Sequence, residues 1–253
     1  MGATVCRAVA GDPGMDLVVG VDPAHRGQSL VTVSGAGTDA PPMAAALDAL
    51  TGTGAEVVVD FSAPSVVRAN LAFYATHHLH AVVGTTGLSE DDLASVAADF
   101  DAERGVGCVI APNFAIGAVL MMRFAELAAP WFETAEIIEL HHDAKVDAPS
   151  GTAMLSAARM AAASQDWGSD PTRTEILAGA RGGVGPGDIH VHSVRLRGLV
   201  AHQEVLLGTA GQTLTIRHDS IDRESFMPGV LIALRAVVDR PGLTVGLDGL
   251  LGL

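Results

Sequence analysis

Imidazoles, an ammonium and carboxylates crowd together between Glu139 and Thr152, where the chain reads E-L-H-H-D-A-K-V-D-A-P-S-G-T. An imidazole titrates near neutral pH and can give or take a proton, while an ammonium holds anions. Ala135–Leu140 is mostly apolar and β-favouring, which puts His141 and His142 at a strand's end. Neighbouring strand side chains face opposite sides, so one histidine of the two can point squarely into a given pocket. Lys145 follows in a turn that can bring its ammonium back beside the His141 ring. Ala148-Pro149 then breaks the chain, and Ser150-Gly151-Thr152 opens a helical run over Ala153–Ala163. A helix start offers N–H groups without intrahelical acceptors and a partial positive charge, which together seat a carboxylate. The stretch therefore describes a cationic pocket with two proton donors and an anion seat. Metal ligation is the weaker reading, and no metal is expected. Adjacent histidines splay apart, the lysine repels a cation, and no third ligand is spaced for it.

The rest of the chain runs against that local charge. Across 253 residues, 15 Lys and Arg face 29 Asp and Glu, a formal net charge of −14. So acidic a chain is not drawn to nucleic acid or to an anionic membrane surface. Cys6 and Cys108 stand far apart outside any C-x-x-C pattern, so no disulfide framework is expected and a reducing cytoplasm is the natural compartment. No signal peptide is read at the N-terminus. The most apolar region, Phe114–Phe132, is interrupted by Arg123 and Glu126 and reads as a buried core helix, not a membrane span.

Apolar strand-like runs occur at Leu17–Val21, Val57–Phe61, Ala81–Gly84 and Gly107–Ala111. Helical segments are predicted between them, near Pro42–Leu50, Pro64–His77 and Ser89–Phe100. Ser89 with Asp92 has the spacing of a capping box, and Pro64 suits a first helical turn. This alternation predicts a parallel, doubly wound α/β sheet covered on both faces. Ligands of such sheets sit beyond the C-terminal ends of the strands. Asp22, Asp60-Phe61, Gly84-Thr85-Thr86 and Ala111-Pro112-Asn113-Phe114 all fall there, four loops making a shelf. Taken alone, Gly84-Thr85-Thr86-Gly87 fits a simple turn equally well.

The second part of the chain reads differently. A helix over Phe114–Pro130, the motif strand and the helix Ala153–Ala163 are followed by a loop, Ser164–Pro171. The Gly-rich stretch Gly179–Gly187 reads as a mobile surface loop. Strands are predicted at Ile189–Arg195, Ala201–Leu207 and Gln212–Arg217, with Gly198, Gly208 and Gly211 in their turns, hence hairpins and an antiparallel or mixed sheet. Asp219 or Ser220 is read as the cap of a helix running through Val238. Arg217-His218-Asp219-Ser220 is read as a strand-to-helix corner, His77-His78-Leu79-His80 as a helix end, and Trp131 and Trp167 as packing residues.

The ordered run E-L-H-H-x-x-K-x-D-A-P-S-G-T-A, with Gly84-Thr85-Thr86-Gly87, Ala111-Pro112-Asn113-Phe114 and the run from Gly198 to Arg217, resembles the 4-hydroxy-tetrahydrodipicolinate reductase (dihydrodipicolinate reductase) family over most of the chain. The resemblance implies a Rossmann-like dinucleotide-binding domain at 1–114 and an inserted α+β domain at 115–220. The inserted domain would bind substrate and carry the mixed sheet of a homotetramer, and 221–253 would return to the first domain. It implies NADH or NADPH as cofactor, held by Asp22, Phe61, Gly84, Thr85, Thr86, Ala111, Pro112, Asn113 and Phe114. Asp22 would accept hydrogen bonds from a ribose hydroxyl pair, and Arg26 would meet the 2′-phosphate of NADP, so use of both is expected. His141 would be the acid and Lys145 the second donor. His142, Lys145, Ser150, Gly151 and Thr152 would bind the carboxylates of a small dicarboxylate substrate. The family's first strand and most of its glycine-rich loop would precede the first helix, here Ala3–Ala10. Met1-Gly2 matches at best the last two residues of that loop, so the expectation is a start codon set too late or impaired cofactor binding. The function implied is NAD(P)H-dependent reduction of 4-hydroxy-tetrahydrodipicolinate in lysine and diaminopimelate biosynthesis. Two other readings are a truncated, non-catalytic binding or assembly subunit of the same fold, and another nicotinamide-dependent oxidoreductase.

Overall fold

The computed structural model describes residues 1–37, 42–164 and 166–253. Gln165, inside the loop expected over Ser164–Pro171, lies outside the described residues. Two compact units emerge, Met1–Phe114 with Phe226–Leu253, and Ala115–Ser225. The chain passes through α1 (Gly2–Ala10), α2 (Leu30–Ser34), β1 (Val57–Asp60), α3 (Pro64–Thr76), β2 (His80–Val83), α4 (Glu90–Asp99) and β3 (Gly107–Ile110). The second unit holds α5 (Ile116–Ala128), β4 (Thr134–His141), α6 (Gly151–Ala163), β5 (Gly183–Val184), β6 (His190–Arg195), β7 (Ala201–Thr209) and β8 (Gln212–Ser220). The first unit is completed by α7 (Met227–Val237), β9 (Gly242–Val245) and α8 (Asp248–Leu251).

The first unit is built on a parallel sheet of order β1-β2-β3-β9. Its strands are apolar on both faces because both faces are covered. Ala81, Val83, Cys108 and Ile110 join Val67, Leu71, Val96 and Phe100 of α3 and α4 in one core. Val82 and Val109, equally buried, alternate to the other face, where α7 packs on β2 and β3. The local signals that start these helices hold. Pro64 occupies the first turn of α3. Ser89 and Asp92 form the reciprocal capping box of α4, with N–H···O distances of 3.1 and 2.9 Å.

Two predicted elements of this unit do not form. Leu17–Val21 makes no strand, and among the described residues its ladder is one bridge, Val21 to Ala44. Apolar, β-branched composition supplies propensity, but a strand needs a neighbour to accept its ladder. A cavity of about 970 Å³ is lined by this run, α1 and β1 together, so the run and β1 do not pair. The helix expected at Pro42–Leu50 shrinks to a 3₁₀ turn at Leu47–Leu50. Met43 and Ala44 are instead drawn out by backbone hydrogen bonds to Gly27 and Gln28 on one side and to Gly20 and Asp22 on the other. The histidines at the end of α3 are used separately. His77 caps the helix and stacks on Phe73 at 3.9 Å, and His80 accepts a hydrogen bond from the Gly107 N–H at 2.9 Å.

The second unit is a mixed sheet of order β5-β6-β4-β7-β8, with β4 parallel to β6 and antiparallel to β7. Helices α5 and α6 cover one face, burying Ile137, Val191, Val205 and Leu207 against Ala125, Ala153, Ala157 and Met160. Both hairpin strands outrun their predicted ends, and β8 continues to Ser220 because Ala201 is still there to pair with it. Asp219 and Ser220 are therefore strand residues and cap no helix. The chain makes a 3₁₀ turn at Arg223–Phe226 and α7 begins at Met227. The Gly-rich stretch is tied down: Gly183-Val184 pairs with β6, and Arg181 reaches Glu136 at 2.5 Å and Asp170 at 3.2 Å. Trp167 packs partly buried against the core as expected, but Trp131 is 79 % exposed. The turn after α5 gives the core position to Phe132.

Candidate active site

β4 delivers His141 as its last residue, and α6 starts ten residues later at Gly151. The intervening turn closes with a cis Ala148–Pro149 bond. Ile137, Glu139 and His141 share one strand face by the two-residue period, which aims the His141 ring at the α6 side of the sheet. His141 Nδ1 lies 2.5 Å from Glu139 Oε2. Lys145 Nζ reaches both carboxylate oxygens of Asp147 at 2.7 Å. Ser150 caps α6 by accepting the Ala153 N–H at 3.2 Å. Gly151 is exposed, with open space where a side chain would stand, so a ligand can approach the first turn of the helix. Exposed His142 follows His141 outside the strand.

Sequence reasoning left Glu139 without a role, and the structure makes it the best-held charge of the unit. Its side chain is fully buried. Arg195 grips it as a fork, Nη1 to Oε2 and Nη2 to Oε1, both at 2.8 Å. The Ser150 N–H adds a bond to Oε1 at 3.2 Å. Burial pushes the Glu139 carboxyl up, but hydrogen bonds from Arg195, Ser193 and His141 outweigh it and hold the group below the usual carboxylate range. His141 sits below the usual imidazole value because burial and the nearby Lys145 and Arg195 charges outweigh the Glu139 hydrogen bond and charge. The alternation of Ile137, Glu139 and His141 was a signal in the sequence for the first partner. Arg195 left none. It arrives through the parallel register that sets His141 against Arg195.

In the first unit, the loops after β1, β2 and β3 converge. Buried Asp60 accepts from the Ser62 N–H at 2.7 Å, Asn70 Nδ2 at 2.9 Å and the Tyr74 hydroxyl at 2.9 Å, which fixes the turn carrying Phe61. Burial and the Asp60 charge push the Tyr74 phenol up, so it stays a donor. Thr85 Oγ1 donates to the Ser62 carbonyl at 2.8 Å, clamping two of the loops together. Phe61 and Phe114 rings lie 5.7 Å apart. A Cβ at Gly84 would come within 2.0 Å of the Phe61 ring, so only glycine admits this approach. Thr86 and Pro112 are exposed, Asn113 half-buried and Ala111 buried. Asp22 accepts the Ala24 N–H at 2.9 Å and lines the 970 Å³ cavity with Phe61; the predicted residues from Gly84 to Thr86 and from Ala111 to Phe114 are not among that cavity's lining. Arg26 borders a separate recess of about 470 Å³ with Gly27, Met43, Ala44, Ala45, Ala46 and Ala49.

Comparison with known proteins places this architecture. The family models for the N-terminus and the C-terminus of dihydrodipicolinate reductase match residues 1–114 and 117–251. The 4-hydroxy-tetrahydrodipicolinate reductases of Cutibacterium acnes and Nocardia farcinica are 51 % and 52 % identical, each over 100 % of this chain and 95 % of the relative. The solved dipicolinate-bound dihydrodipicolinate reductase from Paenisporosarcina sp. TG-14 is 38 % identical, with a TM-score of 0.82 over 98 % of this chain and 94 % of that one. Matched in both halves and along its whole length, this chain belongs to the dihydrodipicolinate reductase family.

Proposed function

We propose that the chain catalyses the NAD(P)H-dependent reduction of 4-hydroxy-tetrahydrodipicolinate to tetrahydrodipicolinate, with net loss of water, in lysine and diaminopimelate biosynthesis. One observation carries this reading. A single turn between β4 and α6 gathers the His141 imidazole, the Lys145 ammonium, whose charge acts on that ring, and an open helix start. A dicarboxylate that must accept a proton on carbon needs those three things: an acid, a cation and an N–H anion seat.

The residues of the β1, β2 and β3 loops fit a nicotinamide cofactor, because Gly84 lets the Phe61 ring close against it and the Asp60 and Thr85 bonds hold the loops in place beforehand. Phe61, Gly84, Thr85, Thr86, Ala111, Pro112, Asn113 and Phe114 would hold its reactive end. Thr85 acts there as a clamp, since its hydroxyl proton is committed to Ser62. Asp22 would take the ribose hydroxyls and exposed Arg26 the 2′-phosphate, so both NADH and NADPH are accepted. The bound cofactor supplies hydride to the substrate. His141 gives the compensating proton from Nε2. Lys145 exchanges Asp147 for a substrate carboxylate and is the second donor, and His142, Ser150, Gly151 and Thr152 complete the carboxylate seat. The subunits form a homotetramer through the face of the mixed sheet that α5 and α6 leave uncovered, where Ile138, Leu140, Val194 and Leu206 remain partly exposed. The free Cys6 and Cys108 suit a cytoplasmic home.

The test is oxidation of NADH and of NADPH by the purified chain with freshly generated 4-hydroxy-tetrahydrodipicolinate, followed by loss of the reduced-nicotinamide absorbance. Turnover that dipicolinate inhibits competitively is expected. Cofactor binding without turnover on this substrate would overturn the assignment. Sedimentation velocity on the same preparation checks the tetramer.

A further inference from the structure

A fully buried carboxylate is costly to the fold, and a well-packed apolar side chain often serves stability as well. Glu139 nevertheless sits at zero side-chain exposure, held by hydrogen bonds from Arg195, the Ser150 N–H and Ser193, with His141 as a further partner. The bonds from Arg195, Ser150 and Ser193 fix where the carboxylate is; the one from His141 passes that fixity to the ring. Arg195 also donates to the Asp147 carbonyl at 2.6 Å, tying the turn that carries Lys145 to the same anchor.

We propose that Glu139 is the positioning residue for the proton transfer: by accepting the Nδ1–H of His141, it locks the ring's orientation and makes Nε2 the atom that carries the proton to substrate. This rests on the reading of His141 as the acid. In the step, the Nε2–H bond breaks and a C–H bond forms on the substrate carbon that balances hydride addition. The imidazolium becomes a neutral ring protonated at Nδ1, and solvent returns the proton to Nε2 afterwards. Glu139 keeps its hydrogen bond and takes no proton. The charged groups facing the ring are Glu139 on its own strand, Lys145 in the following turn and Arg195 on β6. The first favours the imidazolium, while burial of the ring and the other two charges oppose it, so the working pH of the acid is set by burial together with their balance.

Opposed variants test this. Glu139→Gln should lower kcat 10-fold or more while leaving the KM for NADH near wild type. It should also move the alkaline limb of the pH profile to lower pH by roughly one unit, because the imidazolium loses its anion. Arg195→Met should move that limb to higher pH. Nitrogen NMR of labelled histidine, with His141 assigned by its loss in His141→Gln, should find the neutral ring protonated at Nδ1 in wild type and a mixture of tautomers in Glu139→Gln. A structural role alone would cost activity in both variants without opposite pH shifts, and that result would overturn the proposal. Should neither variant fold, the wild-type tautomer decides, and a neutral His141 protonated at Nε2 would refute it. A fully active His141→Gln enzyme would instead sink the underlying acid assignment, whatever the tautomer.

Discussion

Gly84→Ala converts the tightest approach in the first unit into a measurable penalty. The added Cβ would stand 2.0, 2.5 and 2.6 Å from three carbons of the Phe61 ring. Carbon atoms rest comfortably about 3.5–4.0 Å apart, so the ring must retreat by roughly 1.5 Å. Its room is limited by Phe114, 5.7 Å away between centroids, and by a turn pinned through Asp60 and Ser62. Overpacking of this kind costs about 1–3 kcal/mol. Where the cofactor requires the ring in its original place, that cost falls on binding, a loss of roughly 5- to 150-fold in NADH affinity. If the ring relaxes in the free protein, part of it appears as lost stability. Calorimetric titration with NADH and thermal unfolding of the same variant measure the two shares. The double variant Phe61→Ala/Gly84→Ala removes the clashing ring, so the two changes should be non-additive by about 1 kcal/mol or more. Wild-type affinity together with wild-type melting in Gly84→Ala would show that the ring moves freely, and the account of the shelf would fail.

Gly107→Ala should be more destructive, because its Cβ would lie 2.3 Å from the backbone carbonyls of Val237 and Arg240, which cannot swing away as a side chain can. A stability loss of about 3 kcal/mol or more in urea denaturation is expected, and a loss below about 1 kcal/mol would contradict the packing described. Lys145→Met should raise the substrate KM roughly tenfold or more, the worth of a charged hydrogen bond, with the KM for NADH unchanged. An unaltered substrate KM would remove Lys145 from the carboxylate seat. For Glu139 the sign of the pH dependence is fixed: a carboxyl held below its usual range stabilises the fold above about pH 4.3 and loses that contribution as pH falls through its folded-state value. Glu139→Gln should therefore be about 3–5 kcal/mol less stable near neutral pH, with the gap closing on acidification. A gap that stays constant with pH would mean the lost stability does not come from the ionised carboxylate.

Most of the candidate site's placement in one stretch of chain was legible because its geometry is local. His141, Lys145 and Ser150–Thr152 belong to one strand end, one turn and one helix cap, and such features are set by neighbours within a few residues. The α3 start at Pro64 and the α4 capping box were readable for the same reason. Leu17–Val21 and Pro42–Leu50 misled because their composition satisfies a propensity that other backbone groups then outcompeted. Asp219 and Ser220 carry capping side chains, yet Ala201 and His202 hold them in the ladder.

By itself, then, the amino-acid order determined the alternation of strands and helices and the grouping of the proposed proton donors with the proposed anion seat, since each depends on periodicity or on residues adjacent along the chain. Only the tertiary structure decided what surrounds those side chains. The grip of Arg195 on Glu139 exists because β4 and β6 run parallel in one register. The press of Phe61 on Gly84 exists because two separate strands end at the same level. A sequence lists the charges, but the distance between two of them is fixed by how the strands that carry them are paired.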